Sequence, residues 1–179
     1  MSSWLGSTTT WASASPCSAL VMLGEEAARR IESTRSSSFA CDLLKWLQIM
    51  RAYENGGHAY HATMPTDALA AFRDAMLETQ ACGFEKLRAK QWELGQKVRA
   101  LLREKGYASV AAAGFEAPGV VVSYTTDSLI QNGRKFLDLG LQTAAGVPLQ
   151  CDEPADFKTF RLGLFGLDKL HDVDAAVAH

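Results

Sequence analysis

The chain has 179 residues, 47% of them hydrophobic and 21% charged, with a formal net charge of −2. That is an ordinary globular composition, sized for one domain or for one small domain plus part of another. No basic excess marks a nucleic-acid surface and no polybasic run marks an anionic membrane, so function has to be sought in a local site.

Residues 1–18 are rich in Ser, Thr, Ala and Trp and carry no charge. They lack the basic start and apolar core of a signal peptide. No uninterrupted apolar run is long enough to span a bilayer. The stretch reads as a chain beginning inside something larger. Cys17, Cys41, Cys82 and Cys151 are far apart and form no CxxC pair, which argues against a zinc site. Reduced thiols in a cytoplasm are the expectation. Cys17 and Cys151 have no neighbouring His to lower a thiol pKa and are read as packing residues.

In chain order, the apolar run 19–23, ended by Gly24, predicts a buried strand. Residues 25–33 predict a short helix, with acids early and arginines late as the helix dipole prefers. A second helix is expected over 42–53, with Leu43, Trp46, Leu47 and Met50 on one face, broken by Asn55-Gly56-Gly57. A polar, aromatic stretch from His58 to Thr66 precedes a strong helix start, with Thr66 as cap and Asp67 in the first turn. Helical character then runs to about Lys105, with a bend at Gly83 and a stop at Gly106. Its apolar stripe of Leu87, Leu94, Val98, Leu101 and Leu102 is expected to cover a sheet. A strand over 119–125, a helix over 128–140 with Leu129, Phe136 and Leu139 facing in, and a short strand within 141–147 follow. An alternating strand is expected over 160–165 and a final helix from Asp168. The fold class predicted is α/β: a small two-layer domain behind one long helix.

Several segments resemble a known family. Ser13-Ala14-Ser15-Pro16-Cys17-Ser18-Ala19-Leu20-Val21-Met22-Leu23 resembles the stretch after the Schiff-base lysine of class V aminotransferases, which depend on pyridoxal phosphate and include the alanine–glyoxylate and serine–glyoxylate enzymes. Ser37-Ser38-Phe39, Asp42-Leu43 and Lys45-Trp46 resemble the next family segment. Tyr60-His61-Ala62-Thr63-Met64-Pro65 resembles a Tyr-His-x-Thr-x-Pro motif. Phe160-Arg161-Leu162-Gly163-Leu164-Phe165-Gly166 resembles an Arg-x-Gly-x-x-Gly motif near the family's C-terminus. The segments occur in the family's order and reach across nearly the whole chain after Ser13.

The resemblance implies the C-terminal part of a fold type I transferase. Residues 1–80 would be a remnant of the large cofactor-binding domain with a linking helix, and 81–179 the small C-terminal domain. It implies that Arg161 holds the substrate α-carboxylate through two parallel hydrogen bonds, a fork that lysine cannot copy. Alternation would turn Arg161 away from Phe160 and Leu162 and toward the cofactor half, with Gly163 and Gly166 leaving room for a ligand. The plainer reading is an arginine on the exposed side of an edge strand. Tyr60 and Thr63 would donate to the cofactor phosphate of a neighbouring subunit in a homodimer; the plainer reading is an aromatic staple at a capped helix entrance. His58 and His61 are read as polar contacts, since no cysteine or carboxylate cluster joins them into a metal site.

One departure matters. Transamination needs a lysine amine to hold the cofactor as an imine. By register that lysine should fall near Thr10, and the first lysine in the chain is Lys45. The expected chain is therefore a C-terminal portion without a catalytic centre, inactive alone. Its enzyme would move an amino group between an amino acid and a 2-oxo acid such as glyoxylate or pyruvate. The alternative is a non-catalytic dimerisation or interaction module of the same ancestry. A lyase or desulfurase reading is weaker, because no cysteine here can be placed as a mobile nucleophile.

Overall fold

A computed structural model describes residues 21–178. These fall into two compact units that divide between Ala70 and Ala71. Among the described residues no helix is long and apolar enough to cross a membrane.

The N-terminal unit holds α1 (Glu25–Glu32), α2 (Leu43–Glu54) and the start of α3 (Thr66–Cys82). The expected strand over 19–23 is not found in the part described. Residues 21–24 are irregular, and Val21 and Met22 are exposed; Ala19 and Leu20 lie outside the described residues. Asp42 caps α2 by accepting from the Lys45 N–H at 3.1 Å. Neither α1 nor α2 has a buried residue. On the apolar face of α2, Trp46 and Leu47 are half-buried, while Leu43 and Met50 are exposed. Thr66 is already the first helical residue of α3 rather than its cap.

The C-terminal unit is built on α4 (Phe84–Glu104). Gly83 separates it from α3 with φ at +90°, a conformation closed to ordinary helix, so the expected bend is a complete break. At the other end, the N–H groups of Gly106 and Tyr107 bond back to the carbonyls of Arg103 and Leu102. With Gly106 at φ +86°, this is the glycine stop that the sequence announced.

After α4 come β1 (Val120–Tyr124), α5 (Ser128–Gln131), α6 (Arg134–Asp138), β2 (Ala144–Ala145), β3 (Thr159–Gly163), α7 (Leu167–His171) and α8 (Val173–Ala178). The helix expected over 128–140 is split by Gly133, φ +79°. Within it Leu129 and Leu139 are exposed, and Phe136 is the residue that packs inward, 5.6 Å from Phe160 between ring centroids. The strand expected within 141–147 has only two residues.

The sheet is antiparallel throughout, in the order β1-β3-β2. One face packs on α4. There Leu94, Val98, Val121, Leu164, Leu170 and Val173 form the core, with Leu87, Leu102 and Leu162 beside it. Burial of each fully covered side chain contributes on the order of 2 kcal/mol. Leu101, expected in the stripe, is exposed instead. The face of α4 also carries polar anchors. Gln91 donates to the carbonyls of Pro118 and Leu164 at 3.1 and 3.2 Å. Lys90 donates to Leu170 and His171 at 2.7 and 3.0 Å, closing the C-terminal end of α7 as a cation should.

The 149–153 loop is held by one carboxylate. Glu153 accepts from the N–H groups of Gln150 at 2.8 Å and Cys151 at 2.7 Å. Gln150 and Asp152 sit at φ 59° and 62°, which strains non-glycine residues. The N–H groups of Gln150 and then Cys151 hold the Glu153 carboxyl down at about 2. The clasp's stabilisation is therefore complete above the ordinary carboxylate range and is lost as pH falls through about 2. The Gln150 and Cys151 amide proton shifts, followed by NMR against pH, should titrate with a midpoint near 2. A midpoint in the ordinary glutamate range would show that the clasp does not form.

Candidate functional site

Arg161 lies at the middle of β3, the central strand of the sheet. Directly opposed residues of an antiparallel pair share a face. In the register, Arg161 pairs with Val122 on one side and Ala144 on the other. Its neighbours Phe160 and Leu162 pair with or lie beside the buried row of Ser123 and Val121. Arg161 therefore points away from α4, as its alternation predicted. The edge-strand reading fails, because β3 is paired on both sides.

Arg161 is half-buried, with Val122 and Ala144 as its partners across the two ladders. Its Nε is shielded from solvent and has no hydrogen-bond partner. Among the described residues no carboxylate pairs with Arg161. An unpartnered, shielded donor is costly, and an oxyanion lying along the Nε edge would satisfy it with the two-point geometry of arginine.

The two glycines of this motif differ. A Cβ at Gly163 would meet only the Phe165 ring, at 3.8 Å, so space is open there. Gly166 has φ +119°, and a Cβ would come within 2.2 Å of Asp168 Oδ1. The turn into α7 demands that glycine, and room for a ligand does not explain it.

In the N-terminal unit, the Tyr60 hydroxyl and Thr63 Oγ1 lie 3.1 Å apart. Tyr60 is 78% exposed, so its ring staples nothing and the aromatic-staple reading fails. The two hydroxyls form one accessible donor pair. His61 does structural work: its Nε2 is 3.0 Å from the Phe39 carbonyl, and its ring packs on Phe39 and Trp46 at 4.3 and 5.2 Å between centroids. Trp46 in turn donates to the Ala40 carbonyl at 2.8 Å. This cluster pins the Tyr60–Thr63 turn to α2. His58 is exposed. Cys41, Cys82 and Cys151 are free. Among the described residues no His, Cys, Asp or Glu cluster suits a metal.

Sequence reasoning missed Arg99. It is 7% exposed and donates to the carbonyls of Ala117 at 2.6 Å, Val120 at 2.9 Å and Gly95 at 3.3 Å. Burial pushes its guanidinium pKa down. The signal was available as an arginine one position after Val98 on the inward stripe of α4.

No family model matches the sequence, and no curated protein matches it. Among solved structures the chain is similar to the alanine–glyoxylate aminotransferase from Nostoc sp. The TM-score is 0.69 at 17% identity, over 88% of this chain and 41% of that one. The fold is that of the C-terminal portion of an aminotransferase. At this identity the likeness concerns architecture, and the chain spans less than half the length of that relative.

The fit to pyridoxal phosphate divides by group. The Tyr60–Thr63 hydroxyl pair suits a phosphate oxygen. The imine-forming amine is a different matter: Thr10 lies outside the described residues and cannot form an imine, and no lysine precedes Lys45, which is exposed on the first turn of α2. The residues present do not fit covalent attachment of the cofactor.

Proposed function

We propose that this chain supplies the substrate-holding share of an aminotransferase fold, with Arg161 binding the carboxylate of an amino acid or 2-oxo acid. The observation that carries this is the shielded, unpartnered Nε of Arg161 on the open face of the central strand. Tyr60 and Thr63 take the role of neutral donors to a cofactor phosphate, offered across a homodimer to a second copy. Transfer of the amino group to an acceptor such as glyoxylate or pyruvate then belongs to an assembly that brings its own lysine, and the chain alone is inactive. A second reading, a non-catalytic dimerisation module, is favoured by the lack of any lysine before Lys45. A cytoplasmic setting suits both.

The test is the affinity of the chain for pyruvate, read in parent and variant alike from the backbone amide shifts of Val122 and Leu162, which flank Arg161 in the sheet. Losing a charge-assisted fork in a partly desolvated site costs about 2 kcal/mol or more, so Arg161→Lys should weaken pyruvate binding roughly 30-fold. Unchanged affinity together with a lowered Tm would make Arg161 a structural residue and remove the basis of this reading.

A further inference from the structure

Along one flank of α4, Trp92, Gln96, Arg99, Ala100 and Arg103 recur at helical spacing and line a cavity of about 240 Å³ whose lining also includes Glu116. The lining is rich in donors and poor in acceptors. Arg99 is buried and its charge meets only backbone carbonyls, with no ion pair. Arg103, Gln96 and the Trp92 indole make no hydrogen bond among the described residues. Glu116 is the one carboxylate in the lining, and its Oε2 already accepts from the Gly114 N–H at 2.7 Å. Two guanidinium charges thus face one carboxylate that is already engaged.

We infer that this cavity is a binding site for a small oxyanion, a phosphate or carboxylate group, held by Arg103 and Gln96 against the flank of Trp92 and neutralising the buried charge of Arg99. A guanidinium hydrogen-bonded only to carbonyls gains most from an anion when water is scarce around it. Arg103 supplies the two-point fork, and Gln96 and the Trp92 indole add neutral donors. Burial lowers the Arg99 pKa while Glu116 opposes that shift, which is the response of a cation short of negative charge. The Glu116 carboxyl is itself held low, first by its own and the Gly114 backbone N–H groups and then by Arg99 and Arg103. It therefore stays ionised and competes with a bound anion.

The experiment titrates the isotopically labelled full chain with inorganic phosphate and, separately, with acetate, at constant ionic strength made up with chloride. Saturable shifts of the Trp92 indole and Arg103 Nε–H resonances are expected. Saturation by phosphate alone assigns a phosphate site, and saturation by acetate at comparable affinity assigns a carboxylate site. Arg103→Gln should weaken binding about tenfold or more. It leaves the fold intact, because the Arg103 side chain is exposed and makes no hydrogen bond among the described residues. Glu116→Gln, which keeps an oxygen for Gly114, should tighten binding. Arg161→Lys should leave it unchanged, which separates this site from the reading given above. Shifts that drift with every salt without saturating, an Arg103→Gln affinity equal to the parent's, or weaker binding in Glu116→Gln would each overturn the assignment.

Discussion

Arg99→Met should destabilise the C-terminal unit by about 3 kcal/mol, the largest single-residue loss expected outside the apolar core. Methionine fills much of the volume left by the arginine stem, so little of the loss is a cavity effect. What goes is the donor set: the carbonyls of Ala117 and Val120 are left facing a thioether. Each stranded acceptor costs about 1–3 kcal/mol. Removing a buried charge recovers part of its desolvation penalty, which is why the expected loss lies below the simple sum. Denaturant unfolding followed at the Trp92 side chain checks it. A loss under about 1 kcal/mol would mean that water replaces the guanidinium at those carbonyls.

Gly95→Ala should also destabilise, against the usual direction for a mid-helix glycine. Alanine at an unconstrained helix position stabilises by about 1 kcal/mol. Here a Cβ would come within 2.6 Å of the Pro118 carbonyl oxygen and 3.2 Å of Arg99 Nη1. The obstacle is backbone, which cannot swing aside as a side-chain tip can. Either α4 moves outward or the Pro118–Gly119 entry to β1 shifts, and both stretch the Arg99 bonds. A net loss of about 2 kcal/mol is expected. Because Arg99 donates to the Gly95 carbonyl and to carbonyls on either side of Pro118, the double variant should lose less than the sum of the singles. A double-mutant cycle by chemical denaturation measures this, and additive losses would show that the close approach and the arginine latch are independent.

The parts legible in the sequence were those with local causes. The glycine stop at Gly106 and the alternation around Arg161 each depend on residues within a turn or a strand, and each appears where the pattern put it. The misses have tertiary causes. An apolar run at 19–23 suggests a buried strand, yet Val21 and Met22 find no cover in the unit described. Leu129 and Leu139 have inward helical spacing only if the helix is continuous, and Gly133 at positive φ breaks that phase. Arg99 was passed over because periodicity counts a charge as an outward residue; it can be buried because three carbonyls meet it there. At the candidate site the residue identities came from family resemblance. The central position of β3 and the shielding of the Arg161 Nε came from the fold.

The sheet has a property that concerns the chain's neighbours in a crowded solution. A sheet margin with free N–H and carbonyl groups is a template for another chain. On the β1 side that margin is taken by residues 108–110, through the Ser109–Ser123 bridge and the bonds Val110 N–H to Val122 and Tyr124 N–H to Ala108. On the β2 side the ladder is two alanines long, and Pro148, which has no N–H, follows closely. An incoming strand would gain too few bonds there to hold its register. Strand-by-strand growth into fibrils on β1 or β2 of this sheet is therefore disfavoured, because one is already covered and the other is too short to template a partner.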